Sequence, residues 1–363
     1  MPLVGFDGHA FKPAGFTDDV GIYYIVPRIA TWLGLDTGGS VDLLLGGTML
    51  LSLAAGMAGV FLLYRRWSVR CVAFLMLAGV SLTAWNVGDV YLVGSSVAVA
   101  MAPWCVYLYR RGSGSPVDIM VGFAAGILIG AANFLRSHSG TAVLIFLLSL
   151  ILSCPREDRT KKALLAAVVL LGILLSSMPF RLAVRERDRF LARNAPGYGA
   201  VVARHPFWHS VYIGFGYLSN EYGIRYEDEV AARKVRDVSP KAGYVSAEYE
   251  RILRGETLRL ALRHPLFVLR TVFAKAGVLF LFFLIFANLG FLFRKRYPQD
   301  RAVENSFFAS LAFSALPGIL VIPQPGYLLG YIAFAALYGI NGIDRIIEGG
   351  IDRRRSRYVA EGA

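Results

Sequence analysis

The sequence is poor in cysteine and in charged residues. It contains three cysteines among 363 residues (Cys71, Cys105 and Cys154), and each lies in an apolar run or at its end. This placement argues against a disulfide framework and against a cysteine-based metal site. Charged residues make up only 17% of the chain and hydrophobic residues 56%. A water-soluble globular protein of this size is therefore not expected.

A secretory signal is also missing from the first residues. The stretch Met1–Gly15 has neither a basic start nor a long apolar core, so no signal peptide is expected.

The apolar residues gather into runs of roughly 16 to 22 residues, the length that a helix needs to cross a bilayer. Because lipid offers no partner for backbone amides, these runs must be helical. The fold class predicted is all-α: a polytopic integral membrane protein with nine transmembrane helices and a helical extracytoplasmic segment. The spans are expected at 41–63, 71–86, 92–108, 118–135, 139–153, 163–179, 273–293, 305–322 and 326–341. The fifth of these is short.

Basic residues predict the orientation of the spans. Eighteen of the 38 Lys and Arg residues lie in one set of connections, against three in the opposite set of short segments (Lys12, Arg28 and Arg136). The first set is therefore expected in the cytoplasm. Five regions follow: a first outer loop with an interfacial helix (1–40), six spans (41–180), an extracytoplasmic helical segment (181–272), three spans (273–343) and a basic cytoplasmic tail (344–363).

This orientation leaves the first 40 residues outside, and we expect a longer chain to supply a preceding helix. Within the extracytoplasmic segment, helices are expected at 226–237 and at 246–262, the latter with Ser246 as N-cap.

An acidic pair, Asp18 and Asp19, precedes an aromatic amphipathic stretch at 20–34. Two interpretations stay open. The pair caps an interfacial helix, or one carboxylate acts as a base at the membrane surface, where partial burial tunes its pKa. Asp89, in the next outer loop, is a weaker second carboxylate or a turn residue.

Arg136, with His138 beside it, is the basic site in the short outer turns between the spans. It either binds an anionic phosphate, for which arginine is well shaped, or extends to a lipid headgroup.

His205 and His209 would share one helix face as metal ligands or as acid-base groups. No nearby residue completes a zinc set, so a belt of aromatic side chains is the favoured interpretation, and a divalent metal ion stays open. Glu221 either belongs to the charged start of a helix, which is the commoner role, or helps to bind a substrate.

Several segments together resemble the GT-C superfamily of membrane glycosyltransferases, in particular the dolichyl-phosphate-mannose mannosyltransferases. The segments are the acidic pair, the span ending in Tyr64-Arg65-Arg66, the glycine-rich span from Gly122 to Arg136, the run from His264 to Lys275, and Pro325-Gly-Tyr. The family's first helix is missing, and so is the Lys-Pro-Pro stretch of the branch that modifies lipid A.

The resemblance implies sugar transfer from a polyprenyl-phosphate donor to a glycan, lipid or protein acceptor on the outer face. Asp18 or Asp19 would then be the catalytic base, while Arg136 and His138 would bind the donor phosphate. Asp89, His205, His209 and Glu221 are substrate-binding candidates. A bacterial inner membrane is the expected location, with the active site facing the periplasm; membrane lipids are expected partners and nucleic acid is not.

Two other functions stay open. An oligosaccharide polymerase or O-antigen-ligase-like enzyme would depend on His205 and His209 rather than on Asp18. A lipid or polysaccharide transporter is disfavoured, because the span centres hold almost no ionisable residue and the two halves show no repeat.

Overall fold

The computed structural model describes residues 3–14, 19–87, 89–112, 116–155, 157–195 and 206–361. Within these ranges the chain is an all-α polytopic membrane protein, as predicted, with one short hairpin near its start. The hairpin pairs β1 (Val4–Phe6) with β2 (Phe11–Pro13) in antiparallel register.

The helices that follow the hairpin are α1 (Val20–Leu33), α2 (Thr37–Leu63), α3 (Trp67–Val87), α4 (Leu92–Arg111), α5 (Pro116–Leu135), α6 (Thr141–Ser153) and α7 (Arg159–Asn194). After residue 206 come α8 (Phe207–Gly214), a 3-10 turn (Phe215–Tyr217), α9 (Asp228–Val238), α10 (Ala247–Arg263), α11 (Pro265–Leu292), α12 (Arg301–Leu320) and α13 (Pro325–Glu361).

Each of the nine predicted spans falls on one of these helices. Eight helices of the described chain are long and apolar enough to cross a membrane. The ninth, α6, has 13 residues, which is the shortness that the sequence shows at 139–153. Helix α7 runs 15 residues past the predicted end at 179, and this continuation is rich in arginine, so it extends beyond the apolar layer.

The two ends of the helix bundle differ in what they carry. One end, here named the basic end, carries the connections from α2 to α3, from α4 to α5, from α6 to α7 and from α11 to α12. The opposite end, here named the segment end, bears the connections at 88–91, 136–140 and 321–324, together with residues 206–264.

Helix α13 is the centre of the bundle. In its spanning part 78% of the residues are buried, whereas this share is 11 to 61% in the other candidate spans. It packs against α3, α4, α11 and α12. Small residues on α13 permit this enclosure: Gly339 lies against the backbone of Phe286, and Gly342 against Gly290, both on α11.

Glycines also bring α5 and α7 into close contact. Gly126 lies against the backbone of Val169, and Gly172 against Phe123. Gly130 lies against the Ser176 side chain. In lipid, where apolar burial gives helices little reason to associate, such small-residue faces supply the van der Waals contact that holds two helices together.

Residues 206–264 form their own small hydrophobic core. Helices α8, α9 and α10 bury Ile213, Val235 and Leu253 among other apolar side chains. The two helices expected in this segment are confirmed as α9 and α10. The Ser246 side chain accepts a hydrogen bond from the Tyr249 amide at 3.2 Å, so Ser246 is the predicted N-cap.

Candidate functional site

Four side chains meet at the segment end, where the spans join residues 206–264. The Arg136 guanidinium lies over the Tyr91 ring at 3.6 Å from its centroid. The Tyr91 ring meets the Tyr327 ring edge to face at 4.8 Å, and the Tyr226 and Tyr327 hydroxyls are hydrogen-bonded at 2.8 Å. We name Tyr91, Arg136, Tyr226 and Tyr327 the tyrosine cluster.

Local structure at the segment end fixes the position of Arg136. The Asn133 side chain accepts a hydrogen bond from the Gly140 amide at 2.7 Å, which closes the turn between α5 and α6. His138 in this turn has a φ of 67°, a left-handed conformation that few residues adopt. The turn therefore holds the arginine against the start of α4.

Burial sets the electrostatics of the tyrosines. It raises the pKa of Tyr91, and the Arg136 charge only partly opposes this effect. Burial and the hydrogen bond to Tyr327 raise the pKa of Tyr226. Both phenols are therefore neutral near pH 7 and serve as hydrogen-bonding groups beside a permanent cation.

The site residues predicted from the sequence differ in how close they lie to this cluster. Asp89 acts electrostatically on Tyr91. Asp19 directly precedes α1, whose Gly21 packs against the backbone of Phe134 and Leu135, next to Arg136. Asp18 and His205 lie outside the described residues.

His209 is part of the segment's core. It is 4% exposed; its Nδ1 lies 2.7 Å from the Tyr249 hydroxyl and its Nε2 lies 3.1 Å from Asp228 Oδ1. The Glu250 carboxylate accepts hydrogen bonds from the amides of Trp208 and His209, at 2.8 and 3.1 Å. These contacts hold α8 against α9 and α10, so they stabilise the fold of this segment.

Glu221 is exposed in a turn that Asn220 organises through hydrogen bonds to Leu218 and Ile224. Among the described residues, no three His, Cys, Asp or Glu side chains are grouped as metal ligands would be.

A cavity of about 320 Å³ lies between α4, α5, α6 and α7. Its walls are apolar and include Cys105 and Cys154, and its few charged residues are Asp118, Glu157 and Lys162. It offers no constellation of polar groups in the membrane interior.

Two features were missed from the sequence. Lys275 is 2% exposed within α11, and its Nζ donates a hydrogen bond to the Ile319 carbonyl at 3.1 Å. At the basic end, Arg110 lies 3.9 Å from the buried carboxylate of Asp344 and donates a hydrogen bond to Asn341. Each of these ionisable residues sits in or beside an apolar run, and a count over span centres passes over residues near span ends.

Comparison with known proteins gives one match. Residues 43–192, about two fifths of the chain, match the model of the ABC 3 transport family. This stretch contains most of α2 and nearly all of the helices from α3 to α7. No curated protein and no solved structure matches.

The match to a transport family overturns the glycosyltransferase interpretation. The predicted sugar transfer, the polyprenyl-phosphate donor and the glycan, lipid or protein acceptor are wrong. The structure gives the physical reason for the misleading resemblance. The glycine-rich span from Gly122 is a helix-packing face toward α7, and Pro265 and Pro325 begin α11 and α13. Such features recur wherever membrane helices begin and pack.

The expectation that the chain is not a transporter is therefore wrong as well. Lys275 and Asp344 are ionisable side chains buried in spanning helices. The chain is an integral membrane protein, but the match carries no support for an active site on its outer face.

Proposed function

We propose that this chain is the membrane-spanning subunit of an ATP-driven transporter. The observation that carries the proposal is the match of residues 43–192 to the ABC 3 transport family. The 363 residues contain no Gly-Lys pair, which the phosphate-binding P-loop requires. We therefore assign ATP hydrolysis to a partner ATPase.

The charge distribution supports one orientation for this subunit. Its basic end carries Arg65, Arg294 and Arg296 as exposed side chains. Positively charged connections stay on the cytoplasmic side of a membrane, where ATP is available. We therefore place the partner ATPase at the basic end and residues 206–264 outside a bacterial inner membrane, where a substrate-binding protein is the second proposed partner.

The tyrosine cluster is our candidate for the point where the transport path closes. It joins the segment at Tyr226, the central helix at Tyr327 and the turn at Arg136, so any separation of these parts must break its contacts. Arg136 and Asp89 supply charge of both signs beside this point.

Purification of the tagged, full chain from its native membrane in a mild detergent tests the proposal. We expect a stoichiometric ATPase subunit, identified by mass spectrometry, and ATP hydrolysis by the complex. A complex without an ATPase, and without hydrolysis above that of a mock purification, would falsify the transporter assignment.

Charge reversal locates the partner. Arg294→Glu with Arg296→Glu should release most of the ATPase from the complex, because both side chains are exposed at the basic end. Arg251→Glu is the matched control, since it reverses an exposed arginine on α10. Equal loss in both variants would contradict docking at the basic end.

A further inference from the structure

Three arginines from distant parts of the sequence meet at the basic end. Arg66 directly precedes α3, Arg110 lies in the last turn of α4, and Arg345 lies on α13. The charges of all three act on the buried carboxyl of Asp344. We name Arg66, Arg110 and Arg345 the arginine cluster.

Some polar side chains of this region are hydrogen-bonded to each other. Arg110 Nη2 donates to Asn341 Oδ1 at 2.8 Å, and Asn341 Nδ2 donates to Gln299 Oε1 at 2.7 Å. Arg345 Nη1 donates to Glu348 Oε2 at 3.2 Å. These bonds hold α4, α13 and the connection before α12 in a defined arrangement.

Several buried donors in this region have no protein acceptor. Within the described ranges, six buried side-chain polar atoms lack a hydrogen-bond partner, and four of them belong to this region. They are Arg66 Nη1, Arg110 Nε, Gln299 Nε2 and Arg345 Nε. All four are N–H donors, and a buried donor left unpaired is costly. What all four atoms lack is therefore a hydrogen-bond acceptor.

Charge indicates what kind of acceptor fits. Arg110 and Arg345 lie close enough for their like charges to act on each other. The charges that act on Asp344 are those of the three arginines and of one further carboxylate, Glu348, so positive charge is in excess. Guanidinium groups bind oxyanions with several parallel hydrogen bonds, so an oxyanion would satisfy both the charge and the donors.

Position in the membrane narrows the class of oxyanion. Helix α13 begins at Pro325, and Arg345 follows after about 20 residues, the length that crosses roughly 30 Å of hydrocarbon. Arg110 and Arg66 lie next to the ends of α4 and α2 at the same side of the bundle. The cluster therefore lies at the depth of lipid phosphates.

We propose that the arginine cluster, with Gln299, binds a phosphate oxyanion at the basic end. Its source is a phospholipid headgroup or free phosphate, and both present the same acceptor oxygens. The bound anion would link α3, α4 and α13 and so stabilise the inner end of the central helix.

Thermal unfolding of the full chain in a maltoside detergent tests the site. Inorganic phosphate, a short-chain phosphatidylglycerol and a diacylglycerol of the same chain length are titrated at constant ionic strength. We expect a saturable rise in the unfolding midpoint with phosphatidylglycerol and not with diacylglycerol. A response to phosphatidylglycerol alone assigns a lipid headgroup, whereas a response to inorganic phosphate, with or without one to phosphatidylglycerol, assigns free phosphate.

Neighbouring arginines provide a matched control. Arg66→Gln and Arg345→Gln should each raise the half-saturating concentration about tenfold, because each removes a charge-assisted hydrogen bond. Arg65→Gln removes an exposed arginine one residue away and should leave the concentration unchanged. Should Arg66→Gln not fold, Arg66→Lys replaces it, and a smaller weakening is expected since the charge remains.

The proposal is overturned if neither phosphate-bearing ligand shifts the midpoint, if diacylglycerol acts as strongly as phosphatidylglycerol, or if Arg65→Gln weakens binding as much as Arg66→Gln.

Discussion

Lys275 shows how a single residue departs from its surroundings. It is almost fully buried in α11, and the Ile319 carbonyl accepts a hydrogen bond from its ammonium group. One carbonyl replaces only part of the water that an ammonium loses on burial. A lysine inside a spanning helix is a candidate for function, because the desolvation of its ammonium group is unfavourable.

Lys275→Met should therefore fold without loss of stability. Methionine fills the same space without a desolvated charge, so the free energy of unfolding should stay equal or rise by about 1–4 kcal/mol. Reversible unfolding in mixed detergent micelles measures it, and ATP hydrolysis by the purified complex measures function.

Lys162→Met is the control for this substitution. Lys162 also donates to a backbone carbonyl, that of Leu152 at 3.0 Å, but it is only partly buried and lies near the basic end. Its replacement should change the stability by less than about 0.5 kcal/mol. A loss larger than that for Lys275→Met would show that the lysine is structural.

At the scale of elements, close helix pairs depend on glycine at defined positions. Gly126 on α5 faces the backbone of α7, and an added Cβ would overlap the Val169 carbonyl. Backbone cannot move aside as the end of a side chain can, so the two helices would have to separate.

Gly126→Val is expected to destabilise the bundle by about 1–3 kcal/mol, the usual cost of overpacking. The unfolding free energy in mixed micelles measures the effect. Gly79→Val provides the comparison, because a Cβ at Gly79 on α3 meets nothing within 4 Å. Similar losses in both variants would contradict a packing role for Gly126.

The membrane part of a helix was predicted from the sequence, but its full length was not always predicted. The apolar run at 163–179 marks the membrane part of α7, but the helix continues to Asn194 because polar residues are equally able to form a helix outside lipid. Hydropathy indicates which part of a helix lies in lipid, but it does not indicate where the helix ends.

At the scale of the whole molecule, residues 206–264 and the spans form separate cores that meet at the tyrosine cluster. The segment has its own hydrophobic cluster around Tyr249 and Leu253. The hydrogen bond between Tyr226 and Tyr327 links it to the central helix.

A double-mutant cycle at Tyr226→Phe and Tyr327→Phe should therefore give a coupling energy of about 0.5–1.5 kcal/mol, the value of one hydrogen bond. Amide hydrogen exchange in 206–263 and the free energy of unfolding report it. Tyr331→Phe combined with Tyr226→Phe should be additive, because the Tyr331 hydroxyl donates to Leu279 in the bundle. Additivity in the Tyr226–Tyr327 cycle would count against the link.

The sequence by itself determined the class of the fold. Long apolar runs leave a chain in lipid no alternative to helices, so nine helical positions, Ser246 as a cap and a short α6 all follow from local chemistry. The candidate site was predicted only in part: Arg136 and Asp89 stand out as charges between spans, whereas Tyr91, Tyr226 and Tyr327 look like ordinary aromatics at a membrane surface.

Only the tertiary structure decided which charges and rings meet. Arg66, Arg110 and Arg345 are separated by dozens of residues or more, and no local pattern joins them. The enclosure of α13 likewise depends on its neighbours, since several other spans are as apolar but have far fewer buried residues. Hydrophobicity determines that a helix enters the membrane, but small-residue contacts with other helices determine where it lies there.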